Sequence, residues 1–168
     1  MRKGFGPVAA LLAVAVLVLA AQAQAPPLAF VAVMDAAQEV PTCLAAPAAA
    51  GGEAVLAVTD QAAGTVHYQL VANNLPDAPF AAHIHAAPRG VPGPIVQPLP
   101  LTPGAQSGVI GEGTFTNPSL VAALQADPAG YYVNVHTGLC PAGAIRGQLA
   151  ARWRLYLPAV VRGPGSSP

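Results

Sequence analysis

Charge of either sign is scarce in this sequence. Seven Lys and Arg side chains balance seven Asp and Glu, and only 8% of the 168 residues are charged, which leaves a formal net charge of zero. Nucleic acids and anionic membranes attract clustered basic side chains. The composition therefore predicts no nucleic-acid partner, and the polar surface has to come from Gln, Asn, Thr, Ser and turns.

Recognisable catalytic sets are missing as well. The sequence shows no arrangement of serine, histidine and acid typical of a hydrolase, and no pair of carboxylates close together for acid and base catalysis. We therefore predict no catalytic residue.

Long apolar stretches are confined to the N-terminal end. Arg2 and Lys3 precede an apolar run over 8–21 that leads into small residues, the pattern of a secretory signal peptide. Two cleavage sites of the A-x-A type end at Ala23 and Ala25, and the first makes residues 1–23 the signal peptide. The run is too short and too rich in alanine to span a membrane well, and no second one follows. We expect a secreted protein, extracellular or in the cell envelope or periplasm, with no membrane span in its mature chain.

Cysteine is limited to Cys43 and Cys140. An oxidising compartment favours pairing of an even number of thiols. We predict a disulfide between them, which would contribute about 4 to 5 kcal/mol in the chain-entropy model because it closes a long loop. The alternative, two free thiols or metal ligands, lacks the support of a C-x-x-C pair.

Prolines and glycines, 19 and 17 of them, divide the chain into short apolar segments and leave room for few helices. One helix signal stands out, because Asn117 can cap a helix that Pro118 begins and Pro128 ends. Strands are predicted at 28–34, 53–60, 65–73, 80–85, 95–99, 111–116, 131–137 and 144–153. The sequence thus predicts one all-β domain, an antiparallel Greek-key β-sandwich or barrel of the superoxide dismutase-like or immunoglobulin-like kind, with one short helix.

Side chains alternate between the two faces of a strand. Ile84 and Val135 are assigned to the core, so the polar residues that alternate with them point to the opposite face. If the predicted strands 80–85, 131–137 and 144–153 are neighbours, four polar side chains form one cluster outside the core: His83, His85, His136 and Arg146.

The histidines of this cluster have two interpretations. Two imidazoles at i and i+2, with a third on a neighbouring strand, can supply nitrogens at about 2.0 to 2.1 Å from a copper or zinc ion and leave one position open. Alternatively His83 and His85 hold the loop 86–93, and His136 bonds a backbone carbonyl. His67 lies on another strand and is interpreted as an ordinary surface histidine.

Arg146 also has two interpretations. It steers anions towards such a site, or it is a structural arginine that bonds loop carbonyls or a carboxylate, for which Glu39 is a candidate. Tyr131 and Tyr132 are interpreted as aromatics of the core and its rim.

Three motifs carry a family resemblance: MDAAQEVPT, AAHIHAAPRGVPGPIV and LVAALQADPAGYYVNVHTGLCPAGAIRGQL. With them, the chain resembles a CHRD domain from about Phe30 to Leu149, the module named from chordin and widespread in secreted bacterial proteins. The resemblance implies an extracellular module and leaves its biochemical activity open. The chain departs from the family pattern at Ala144, where a glutamate is common, and at Ala86, where a glycine often follows the histidine pair.

A looser resemblance is to copper-zinc superoxide dismutase, an antiparallel Greek-key sandwich. It implies that His83, His85 and His136 are similar to copper ligands and that Arg146 is similar to a guiding arginine. The bridging histidine and the zinc loop of that enzyme have no counterpart here.

These observations leave three functional hypotheses for a CHRD domain over 28–153. The first, which the sequence favours, is a noncatalytic extracellular or cell-envelope module that binds an unidentified protein or polysaccharide or has a structural role. The second is a mononuclear copper or zinc protein, and the third adds dismutase-like redox chemistry. Residues 154–168 are predicted to form a C-terminal tail, partly disordered.

Overall fold

The protein folds as one curled antiparallel sheet, a half-barrel, in a computed structural model that describes residues 28–153. Its strands are β1 Leu28–Asp35, β2 Gly51–Asp60, β3 Thr65–Asn73, β4 Pro79–Ala86, β5 Ile95–Pro98, β6 Gly108–Thr116, β7 Tyr131–Thr137 and β8 Ile145–Trp153. Helix α1 spans Pro118–Ala126, and two 3-10 turns span Ala36–Gln38 and Pro128–Gly130. The strand order is β5-β4-β7-β8-β1-β2-β3-β6. The predicted all-β fold with one short helix is confirmed.

Two predictions fall beyond this part of the chain. The signal peptide over 1–23 and the tail over 154–168 lie outside the described residues. Within residues 28–153, no helix has the length and hydropathy required to cross a membrane.

The core fills the concave inner face of the sheet. Fully buried side chains from strands in both halves of the sheet meet there, among them Phe30, Leu56, Leu70, Ile84 and Val133. Burial of each such side chain stabilises the fold by roughly 1.5 to 3 kcal/mol. The alternation of faces predicted from period two is therefore correct along these strands.

Helix α1 covers part of this core. The Asn117 side chain accepts a hydrogen bond from the Leu120 amide at 3.0 Å, and Pro118 occupies the first turn, where its missing N–H costs nothing. Leu120, Val121 and Leu124 are buried on the side that faces the sheet. The helix begins where its cap signal predicts.

The largest boundary difference concerns the starts of β2 and β6. β2 begins at Gly51, before the predicted Glu53, and a side chain at Gly52 would collide with the Val71 backbone. β6 begins at Gly108, before the predicted Gly111, and contains a register shift opposite Leu70 and Val71. Glycine has a low strand propensity, so the sequence pattern places both starts too late. At Gly52 the close approach of the Val71 backbone requires glycine, and at Gly108 the positive φ of 71° favours it.

The predicted disulfide is present between Cys43 and Cys140, with Cα atoms 5.7 Å apart. It joins the long connection between β1 and β2 to the turn that follows β7. Because the two cysteines are 97 positions apart, the bond constrains most of the unfolded chain.

Candidate metal centre

The three predicted histidines lie together on the outer face of two neighbouring strands. In the pairing of β4 with β7, His83 lies opposite Asn134, His85 opposite Tyr132, and His136 opposite Ala81. Ile84, Val133 and Val135, which alternate with them, are fully buried in the core. The strand adjacency that the cluster required is thus observed.

The imidazoles of His83, His85 and His136, called the histidine triad below, are close enough for one ion. One nitrogen from each ring lies within 4.8 Å of the other two, and His83 Nδ1 is 3.1 Å from His136 Nε2. Nitrogens that bind a tetrahedral ion at 2.0 to 2.1 Å are about 3.4 Å apart. Small side-chain rotations would therefore bring the triad to coordination geometry.

Backbone carbonyls orient two rings of the triad. His85 Nδ1 lies 2.8 Å from the Gly93 carbonyl oxygen, and His136 Nδ1 lies 3.0 Å from that of Pro141. A carbonyl only accepts, so each Nδ1 carries the proton and donates it. In the neutral rings, Nε2 is then the unprotonated nitrogen that can bind a metal, and an Nδ1–H held by a carbonyl is the arrangement that supports a metal-bound histidine.

Within the triad, His85 carries a buried nitrogen that lacks a hydrogen bond to any described residue. Its side chain is buried, with 7% of the residue exposed, and its Nε2 has no hydrogen-bond partner within the described part of the chain. A buried polar atom without a partner costs about 1 to 3 kcal/mol. A bound metal ion would remove that cost.

Burial and the neighbouring histidines favour the neutral form of two of the rings. Burial lowers the pKa of His83, and the neighbouring His136 and His85 lower it further. Burial also lowers the pKa of His136, against the opposing effect of the bond to Pro141, and His85 lowers it further. Neutral imidazole is the form that binds metal, so the site favours the competent state.

Tyr132 supports the triad from the neighbouring strand. Its ring stacks on His85 with centroids 4.8 Å apart and planes 7° from parallel. Its hydroxyl accepts a hydrogen bond from the Gly93 amide at 3.2 Å, and the Gly93 carbonyl in turn holds His85. This role was missed in the sequence, although Tyr132 alternates with Asn134 and His136 on the same face.

Arg146 reaches the histidine triad only through Tyr132. Its Cζ lies 3.4 Å from the Tyr132 ring centroid, and its guanidinium donates to the Pro88 carbonyl oxygen at 3.0 Å. The side chain is buried, with 2% of the residue exposed. These contacts favour the structural interpretation of Arg146 over anion steering.

Glu39, the candidate carboxylate partner of Arg146, lies near it but forms no ion pair with it among the described residues. Burial raises the pKa of Glu39 to about 7, and the Arg146 charge, the Val40 amide and Asn134 only partly oppose that effect. The Glu39 carboxylate also packs against the backbone of Gly143, in the turn after the disulfide. Glu39 is therefore a buried acid with one carboxylate oxygen that has no hydrogen-bond partner in the described part of the chain.

His67 takes no part in this site. It lies on β3 and pairs with Glu112 at 3.2 Å, and both side chains are about half exposed. Its interpretation as a surface histidine is confirmed.

The turn after β7 links the disulfide to the site. Cys140 is buried, and its amide and carbonyl bond Thr137 on the preceding strand. Pro141, the next residue, provides the carbonyl that orients His136. The disulfide thus anchors the turn on which one ligand depends.

Comparison with known proteins gives one family. The CHRD domain model matches residues 30–149, which include the complete histidine triad and both cysteines. No curated protein and no solved structure matches the chain significantly.

Proposed function

The chain belongs to the CHRD domain family, a family of extracellular domains, and on this premise we propose that it is a secreted protein that binds one copper or zinc ion through His83, His85 and His136. The buried, unpartnered Nε2 of His85 carries the proposal. The disulfide supports an oxidising compartment.

The donor set favours copper or zinc over magnesium and calcium. All three ligand atoms are imidazole nitrogens, which suit these two metals, whereas magnesium and calcium require oxygen ligands. Three protein ligands leave a coordination position for exchange. Copper would supply one-electron chemistry at this site, and zinc a Lewis acid.

Metal content is the direct test. The full chain, exported into an oxidising compartment and purified, is dialysed against copper or zinc and analysed for bound metal. We expect about one equivalent per chain, lost in the His83→Ala/His85→Ala double variant and retained in the matched surface variant His67→Ala. Equal metal in the double variant and the parent, or no metal in either, would sink the proposal.

Dismutase-like activity is the more demanding form of this proposal. It requires superoxide turnover by the copper-loaded chain and its loss in His136→Ala. A copper-loaded chain without turnover would reduce the function to metal binding.

A second candidate function is a noncatalytic module that binds an extracellular protein or polysaccharide. A groove of about 610 Å³ on the outer face of β1 and β8 favours it. Its wall combines apolar side chains with charges of both signs: Val31, Val33, Asp35, Glu53, Arg89 and Arg152. Retention of the chain on cell-envelope material from its source, abolished by Val33→Asp, would support this function, whereas absence of retention would count against it.

A further inference from the structure

Beside the histidine triad lies a small apolar cleft, and we infer that it is a binding site for one small phenol. The cleft lies between the start of β4 and the segment 98–101, with a volume of about 170 Å³. His83 forms part of its wall and is shared with the proposed metal site. The inference rests on the position of His83, and the ligand it names would bind with or without the ion.

The wall of the cleft offers a single polar side chain. His83 is that residue, and the other lining side chains are those of Phe80, Ala81, Ala82, Pro98, Leu99, Pro100 and Leu101. Two backbone carbonyls beside the cleft already accept hydrogen bonds. The Ala82 carbonyl accepts from the Leu99 amide at 2.9 Å, and the Pro100 carbonyl accepts from the Tyr68 hydroxyl at 2.8 Å. The complementary ligand is therefore apolar, with one hydrogen-bonding group.

The size and the rim of the cleft favour an aromatic ring. An enclosed apolar cavity of about 150 Å³ accommodates one benzene molecule, and this cleft, which is open to solvent on one side, has a similar volume. Phe80 stands at the cleft with 62% of its surface exposed, and its ring lies 6.1 Å from that of His136. An exposed aromatic side chain gains from contact with a second ring. One six-membered aromatic ring matches both the volume and the partner.

The remaining nitrogen of His83 supplies the polar contact. His136 Nε2 is unprotonated in its neutral ring, so His83 Nδ1 donates to it across 3.1 Å. His83 Nε2 is then a free acceptor, and no residue described in the structure bonds it. If Nδ1 binds a metal ion, Nε2 carries the proton and donates instead. A hydroxyl can accept or donate, so a phenol satisfies His83 in both states.

Titration of the isotope-labelled, metal-free full chain with phenol, followed by amide NMR, tests this inference. We expect saturable shifts at residues 81–83 and 99–101, with phenol bound more tightly than benzene, which lacks the hydroxyl, and than cyclohexanol, which lacks the aromatic ring. Unsaturable shifts, or equal binding of the three probes, would overturn it.

Variants separate this site from the metal site. Leu101→Trp fills the cleft and should weaken phenol binding about tenfold or more, while the metal content stays unchanged. The matched control Leu44→Trp, at a fully exposed leucine, should change neither phenol binding nor metal content. His83→Phe keeps a ring and should abolish the preference for phenol over benzene. Unchanged affinity in Leu101→Trp, or a preserved preference in His83→Phe, would contradict the inference, and neither result depends on whether metal binds.

Discussion

The two faces of strands β4 and β7 follow opposite rules. Towards the core, Ile84, Val133 and Val135 are fully buried among other apolar side chains. On the opposite face, the same strands bury His85 and Asn134, and each retains a polar atom without a hydrogen bond in the part of the chain that the structure describes. Apolar contacts on one face stabilise the strands, so the other face can keep polar groups poised for a ligand at a cost in stability.

The inner face should dominate stability. Ile84→Ala removes a fully buried side chain and is expected to lower the free energy of unfolding by about 2 to 5 kcal/mol. Urea unfolding measures this loss, with Ile95→Ala, at an exposed isoleucine of β5, as the control. The folded fraction of Ile84→Ala should still bind metal. An unchanged stability would remove the contrast between the faces.

On the outer side, Glu39 should make stability depend on pH. Its pKa is raised from 4.5 to about 7 in the folded protein, so the folded state holds more protons than the unfolded state between those values. The stabilisation linked to the protonated Glu39 carboxyl is therefore fully present below pH 4.5 and is lost as pH rises through 7. The free energy of unfolding falls by about 3 kcal/mol in total over this range.

The variant Glu39→Gln isolates this effect. The lowered pKa values of His83 and His136 act in the opposite sense, since they reduce stability as pH falls through about 6.5. At pH 4.5 and again at pH 8, the unfolding free energy of the parent is subtracted from that of the variant. The histidine contributions, which both proteins share, cancel in each difference. The variant should gain stability over the parent at the higher pH, and Glu53→Gln should not. A difference that is constant with pH would contradict the raised pKa.

Support of the histidine triad by Tyr132 should appear in metal affinity. Tyr132→Phe removes the hydroxyl that holds Gly93, and Gly93 orients His85. Loss of such a supporting contact weakens metal binding about 10- to 100-fold. Competition with a chelator measures the change, and Tyr131→Phe, the neighbouring tyrosine, serves as control. Equal affinities of the two variants would leave Tyr132 with a packing role alone.

The smallest expected effect is that of His85→Phe on the metal-free protein. The substitution removes both the unpartnered Nε2 and the bond to Gly93, and replaces them with a ring of similar shape. We expect the unfolding free energy to change by less than about 1 kcal/mol, while metal binding is lost. A destabilisation as large as that of Ile84→Ala would show that both faces serve stability equally.

The local sequence pattern predicts much of the fold and the grouping of the candidate site residues. Alternation assigns Ile84 and Val135 to the core and gathers the three histidines, and the Asn117 cap marks the helix. These features depend on neighbours in sequence and on one assumption about strand adjacency, which the sheet order confirms.

Contacts between segments that lie far apart in the sequence could not be predicted from this local pattern. The stack of Arg146 on Tyr132 depends on how two side chains cross between β7 and β8, and the position of Glu39 depends on a loop held by the disulfide. The sequence offered Glu39 as a candidate partner for Arg146, since the chain has only seven acidic residues. Packing instead buries Glu39 against Gly143, and Arg146 bonds the Pro88 carbonyl.

The central claim is that the outer face of β4 and β7 binds one ion through three imidazoles. X-ray absorption at the zinc edge of the zinc-loaded chain tests it most directly. The account predicts a fit with three imidazole nitrogens at about 2.0 to 2.1 Å and one further light ligand, reduced to a solution-like oxygen shell in His83→Ala/His85→Ala. A spectrum dominated by oxygen in the parent protein would contradict the account.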